Sequence, residues 1–264
     1  MDDVLIGAWH GGLGDSLQFS TLPEEFYKQH GRETYVADGC SFRNKEIYDL
    51  VWGCNPYVKG VKEGERNAGD IPDIQFTNKN GYYSSITNWE ELHGLEPKNT
   101  LPKIYYTPKK LVGYEDTILV DLSSISLKHN GDKSSFPPAY DQKEVLEEYN
   151  KLRRMYKECR FGAIQFEQDL EANTFPVISD VDVPVKSIFH YCDLMASSYG
   201  IIGLYSGQSA LSAAIIEYNP DLVSLCLISE AVYKKHCKQS GFIFDNLNYI
   251  IIPEAGSVRD TSIH

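Results

Sequence analysis

Short apolar runs alternate with stretches of helical periodicity twice along this chain, and that alternation leaves few architectures open to it. Residues 4–9 form the first strand-like run, after which Leu17, Phe19, Leu22, Phe26 and Tyr27 recur at helical spacing, with Pro23 expected to bend the helix. Residues 33–37 read as a second strand turned by Asp38-Gly39, Ile47, Leu50 and Val51 as a short helix, and residues 57–61 as a third strand. A second cycle opens with the buried-strand pattern Thr117-Ile118-Leu119-Val120-Asp121-Leu122 and an amphipathic helix over 142–157. Strands are predicted at 160–166, 175–181, 200–204, 222–228 and 249–252, with helices at 187–198, 208–218 and 233–239. Strand–helix–strand order predicts parallel sheets covered by helices. Between the cycles, 62–82 is rich in Gly, Asn, Asp and Lys and reads as a surface excursion. Residues 88–92 read as a short helix, and Pro97, Pro102 and Pro108 punctuate a connection. The expected organisation is α/β, with two Rossmann-like domains at 1–111 and 112–264.

Composition narrows the functional classes. Of 264 residues, 42% are hydrophobic and 23% charged, an ordinary globular balance. No apolar run approaches the roughly 20 residues that span a bilayer, and the start Met1-Asp2-Asp3-Val4 lacks a basic signal region. The expectation is a cytoplasmic protein without a membrane span. Six cysteines, at 40, 54, 159, 192, 226 and 237, form no CxxC pair; buried free thiols explain them better than disulfides or zinc. A net charge of −12 disfavours non-specific nucleic-acid binding, although Lys103, Lys109, Lys110 and Lys128 could line a local basic cleft.

Two segments carry candidate chemistry. Gly11-Gly12-Leu13-Gly14-Asp15 stands between a strand and a helix, where glycines let a ligand approach the backbone and a helix N-terminus offers unpaired N–H groups. It lacks the GxGxxG dinucleotide spacing. Asp15 has two readings that do not exclude each other, a helix cap or a catalytic base at the carboxyl edge of the first strand. His10 precedes this turn and is expected beside Asp15, as a structural or a catalytic histidine. The second segment, Leu204-Tyr205-Ser206-Gly207-Gln208-Ser209-Ala210, also follows a strand and opens a helix; it reads either as a capped Ser-Gly turn or as a diphosphate cradle. Asp180-Val181-Asp182 has the look of a metal-binding acidic motif but sits where a strand enters a loop, and the seven histidines show no ligand spacing, so no metal site is expected.

Taken together, Gly12-Leu13-Gly14-Asp15-Ser16-Leu17-Gln18-Phe19-Ser20-Thr21-Leu22-Pro23 resembles the opening motif of the heptosyltransferase family, glycosyltransferase family nine. Tyr205-Ser206-Gly207-Gln208-Ser209-Ala210-Leu211-Ser212-Ala213-Ala214 is similar to that family's Asp-Thr-Gly-x-x-His-Leu-Ala-Ala segment. About two dozen residues carry the match. The resemblance implies a GT-B fold, an N-terminal acceptor-side domain and a C-terminal nucleotide-sugar-binding domain facing each other across a cleft. It implies inverting, metal-independent transfer of a sugar, of the hexosyl or pentosyl class, with no cofactor beyond the nucleotide-diphosphate sugar donor. Asp15 takes the family's general base; His10 is grouped with it. The family's donor-phosphate contacts fall to Lys128, Ser206, Gly207 and Gln208, and Gly12, Gly14 and Ser209 join them as donor-binding candidates read from the turns themselves. Tyr205 stands in place of the family's acid and Ala210 in place of its histidine, and the chain is short for the family. The expected acceptor is a glycan or small molecule first and a hydroxymethylated base in viral DNA second. A non-catalytic nucleotide-sugar-binding module and a nucleotide-sugar epimerase or hydrolase are the alternatives. Oligomeric state is not legible in the sequence.

Overall fold

A computed structural model describes residues 3–8, 11–70, 85–124, 140, 142–167, 173–174, 176–239 and 243–253. The first half forms a four-stranded parallel sheet from β1 (Val4–Gly7), β2 (Thr34–Ala37), β3 (Val58–Lys62) and β4 (Ala68–Gly69), in the order β3-β2-β1-β4. Its helices are α1 (Leu13–Leu17), α2 (Leu22–His30), α3 (Lys45–Tyr48), which runs on into a π-helical turn at Asp49–Gly53, and α4 (Ser85–Leu92). The helix expected to bend at Pro23 is two helices. Residues 18–21 turn through tight i→i+3 bonds, and Pro23 lies in the first turn of α2, where a missing N–H costs nothing. Gly31, at φ +64, ends α2 by donating to the Tyr27 carbonyl while Arg32 donates to that of Phe26.

The second half contains a six-stranded parallel sheet. Its members are β5 (Thr117–Asp121), β7 (Arg160–Phe166), β9 (Val181–Val185), β10 (Gly200–Leu204), β11 (Val223–Ser229) and β12 (Asn248–Ile252). β6 (Ser123–Ser124) and β8 (Asn173–Thr174) pair antiparallel beside it, and α5 (Gln142–Met155), α6 (Ile188–Ser197), α7 (Gly207–Ile215) and α8 (Glu230–Gln239) are its helices. The order β12-β11-β10-β5-β7-β9 is doubly wound: the chain starts at the centre, lays strands outward on one side, then returns to build the other. β5 and β10 are buried along their whole length, as strands covered on both faces must be.

Two further stretches depart from expectation. The strand expected at 175–181 is displaced to Val181–Val185, with Pro184 inside it. β9 is an edge strand, so the absent N–H of Pro184 leaves no ladder bond unmade. The surface excursion at 62–82 contributes β4, whose Ala68 and Gly69 are buried against β1.

One hydrophobic cluster runs through both halves, joining Ile6, Leu17 and Trp52 to Leu119, Leu194, Leu211 and Ile215. A second lies on the other face of the six-stranded sheet and takes the alternate residues of β5, Ile118 and Val120, with Tyr149, Phe161 and Leu227. Residues 93–116 contain no regular element and bind the halves together. Lys103 and Tyr105 reach Glu24 of α2, while the Tyr106 hydroxyl and Lys109 N–H both donate to Asp193 of α6. Among the described residues no helix is long and apolar enough to cross a membrane.

Candidate functional site

Each sheet has one point where strand order reverses, and a motif lies at each. In the first sheet the reversal falls between β1 and β4, and the Gly11–Asp15 turn leaves β1 there. In the second it falls between β5 and β10, and Tyr205–Ser209 leaves β10 there. Crevices outside the carboxyl ends of strands at such points are the usual ligand sites of open α/β sheets.

The two turns meet. A methyl group built on Gly14 would lie 3.2 Å from the Gly207 α-carbon, and one on Gly207 would lie 3.0 Å from the Gly14 nitrogen. Only paired glycines let the starts of α1 and α7 come so close. Around Gly207, Ser206 caps α7 by accepting the Gln208 N–H at 3.3 Å. The Ser209 N–H and hydroxyl both donate to the Ser206 carbonyl. Among the described residues these bonds leave the Gly207 N–H, at the head of α7, without an acceptor, with the positive end of the helix behind it.

Asp15 sits on the other side of the contact. Its Oδ2 accepts the Gly12 N–H at 3.2 Å, so the carboxylate folds back over the start of α1. The N-cap is Gly12, not Asp15; Asp15 stands at the third position of α1 and reaches back to the Gly12 N–H, and its half-exposed carboxylate still has lone pairs to offer. Arg43, exposed in the turn after β2, holds the motif from outside: its N–H donates to the Gly11 carbonyl at 3.1 Å, and its guanidinium lies over Gly12. Ala8, Gly39, Cys40, Ser41 and Arg66 enclose a polar cavity of about 210 Å³ at the same sheet edge. A wider depression of about 570 Å³ is lined, among the described residues, by α5 and by no motif residue.

Gln208 is turned away from the contact. Its amide lies flat over Gly203 of β10, where a methyl group would strike Oε1 at 2.1 Å, and that oxygen has no hydrogen-bond partner among the described residues. Beside it, Asp121 ends β5 as the register neighbour of Gly203. The carboxyl is buried, accepting the Tyr191 hydroxyl at 2.6 Å and the Ser123 N–H and hydroxyl. Burial raises its pKa, an effect opposed by those bonds, and burial raises that of Tyr191 as well.

No family model and no curated protein matches the sequence. Solved structures do match in three dimensions. Escherichia coli heptosyltransferase WaaC with ADP superposes with a TM-score of 0.55 at 11% identity, over 97% of this chain and 94% of that one. A glycosyl transferase family 9 protein from Veillonella parvula gives 0.56 at 9% identity, over 96% and 86%. The dodecameric iron-containing heptosyltransferase TibC, solved in complex with ADP-D-beta-D-heptose, gives 0.51 at 17%, over 81% of this chain. The fold is GT-B, shared with heptosyltransferases. The chain spans 56% of the length of TibC.

Within that GT-B frame the sequence-predicted residues fall into three groups. Gly12, Gly14, Asp15, Ser206 and Gly207 come together at the contact between the halves. Gln208 and Ser209 belong to the same turn, but their side chains are spent on β10 and on the Ser206 carbonyl. His10 and Lys128 lie outside the described residues. The acidic motif is structural: the Asp180 carboxylate accepts the Phe161 N–H and pairs with Arg153, and Asp182 is exposed in the edge strand β9. No group of three or more metal-ligating side chains occurs among the described residues. Sequence reasoning missed Arg43, Arg66 and the Asp121–Tyr191 pair. The signal for Arg43 was its place just after the second strand of a doubly wound half, where loops face the cleft.

Proposed function

We propose that this chain is a glycosyltransferase that moves a sugar from a nucleotide-sugar donor to an acceptor hydroxyl. One observation carries the reading: two reversal-point turns from opposite halves touch at Gly14 and Gly207, with a carboxylate on one side and a helix N-terminus on the other. Residues 112–264 would hold the nucleotide and 1–111 the acceptor. The Gly207 N–H and the start of α7 would take the donor diphosphate, aided by Lys128 and by the Ser206 turn. Asp15 would accept the proton of the acceptor hydroxyl as that oxygen attacks the anomeric carbon from the face opposite the diphosphate. The bond to the diphosphate oxygen breaks, the anomeric configuration inverts, and the departing charge falls to fixed N–H dipoles without a metal. General-base assistance is worth roughly 10²–10⁴ in rate.

The acceptor would approach from the side of Arg43, Arg66 and the small polar cavity. A glycan or small hydroxylated molecule suits that cavity and a net charge of −12 better than a hydroxymethylated DNA base does. Transfer of a hexosyl or pentosyl group in the cytoplasm completes the proposal.

The test is a thermal-shift screen of wild type and Asp15→Ala against nucleotide sugars, with and without magnesium or manganese, followed by transfer assays. Binding to the folded state raises its stability by mass action. A shift with one donor in both proteins, and transfer by wild type alone, is the expected result. No shift with any donor would overturn the transferase reading, and a shift without transfer to any acceptor would leave a nucleotide-sugar-binding module.

A further inference from the structure

The donor turn is tied to the opposite half by a route that avoids the Gly14–Gly207 contact. Glu46, in α3 of the first half, accepts the N–H of Ile188 at 2.8 Å and so caps α6 of the second half from outside, beside the Ser187 cap. One turn further along α6, the Tyr191 N–H donates to the Ser187 carbonyl and its hydroxyl donates to Asp121 at 2.6 Å. Asp121 flanks Gly203, and the amide of Gln208, in the first turn of α7, lies on Gly203. Phe166 packs edge-on against the Tyr191 ring, and Tyr106 and Lys109 fasten α6 at Asp193, so the helix is held along its length.

We infer that Glu46 and Asp121 are positioning residues for the donor turn, acting on it through α6 and Tyr191 without touching the donor. The inference rests on the donor site proposed above. The mechanical reason is short. The Gly207 N–H can meet a diphosphate only where α7 starts, and that start is fixed by the Gln208 amide on Gly203. The ledge beside it is held by Asp121, whose hold on α6 has meaning only while α6 is seated. Glu46 seats it.

A double-mutant cycle tests this, using ADP, UDP, GDP and dTDP as probes, each titrated into the full chain by calorimetry. The tightest-bound nucleotide should lose about five- to tenfold in affinity in Glu46→Ala and in Asp121→Ala. The double variant should be no weaker than the weaker single, because both break one chain of contacts. Glu46→Gln, which keeps an oxygen for the Ile188 N–H, should bind within about twofold of wild type. Lys45→Ala, which breaks only the exposed pair with Asp49 on the same helix, should not change affinity. Unliganded thermal midpoints confirm that each variant is folded at the titration temperature. Additive losses, or single variants that bind like wild type, would overturn the inference while leaving the donor site intact. Failure of wild type to bind any of the four nucleotides would overturn the donor site and this inference with it.

Discussion

At the scale of single residues, the site depends on atoms that are missing. Gly12 is the clearest case, because a methyl group there would sit 2.6 Å from Asp15 Oδ2 and would push the carboxylate off its seat. Gly12→Ala should therefore cut transfer by about tenfold or more while the donor still shifts the melting point, since α7 is untouched. Gly69 is a stability counterpart. At φ +88, with a methyl position 2.3 Å from the Gly7 carbonyl oxygen, it admits no side chain. Gly69→Ala should cost about 1–3 kcal/mol in urea unfolding. A variant as stable as wild type would show that β4 does not hold the position described. That Gly12, Gly14, Asp15 and Gly207 lie in strand-to-helix turns was legible in the sequence, because an apolar run precedes and helical periodicity follows each turn. The Asp121–Tyr191 pair was not, because its members are 70 positions apart and only the sheet order brings them together.

At the scale of elements, two ionisable groups, half-buried His93 and buried Glu24, hold helices to their neighbours and give the protein an acid-sensitive flank. His93 closes α4 onto β4: its Nε2 accepts the Gly69 N–H at 2.9 Å, so the proton is on Nδ1, which donates to the Trp89 carbonyl at 2.7 Å. Burial lowers its pKa against the pull of the Trp89 carbonyl, and a proton on Nε2 would displace the Gly69 N–H. The folded protein thus binds fewer protons here than the unfolded chain, and stability is held above the ordinary histidine value near 6.5 and lost as pH falls below it. His93→Gln should flatten the fall in urea midpoint between about pH 7 and pH 5.5. An unchanged slope would remove His93 from the account. Glu24 works lower on the scale. Burial raises its pKa, but hydrogen bonds from Lys103, Lys28 and Tyr105 outweigh that and hold it at about 2. Its contribution is present above the ordinary carboxyl value and fades as pH drops from there toward about 2. Lys103→Met should move acid unfolding to higher pH. Elements buried on both faces, such as β5 and β10, were read from their apolar runs. The edge strand β9 and the break between α1 and α2 were misread, because Pro184 and Pro23 take their meaning from where hydrogen bonds are needed.

At the scale of the whole molecule, two sheets share one hydrophobic cluster. The connection at 93–116 is fastened to α2 on one side and to α6 on the other. Such continuity predicts a single cooperative transition. All three tryptophans, at 9, 52 and 89, belong to the first half, so their fluorescence follows that half, while far-ultraviolet circular dichroism follows both. The two urea curves should coincide. A fluorescence transition that precedes or follows the dichroism by more than its own width would show that residues 1–111 and 112–264 unfold as separate units.

By itself the sequence determined the α/β class, the two cycles of strand and helix, and the two turns that end in glycine beside Asp15 and Ser206. Those features are local: periodicity, turn chemistry and a helix start are written within a dozen residues of one another. Tertiary structure alone decided that the turns meet at Gly14 and Gly207, and that Gln208 turns back over β10 rather than toward the contact. It also decided that Glu46 reaches α6 and that Asp121 lies beside Gly203, on which Gln208 rests. Each of these depends on strand order and on the docking of one half against the other. Such contacts join residues far apart in the chain, and no spacing along a single sequence records which distant partners a packed core will bring together.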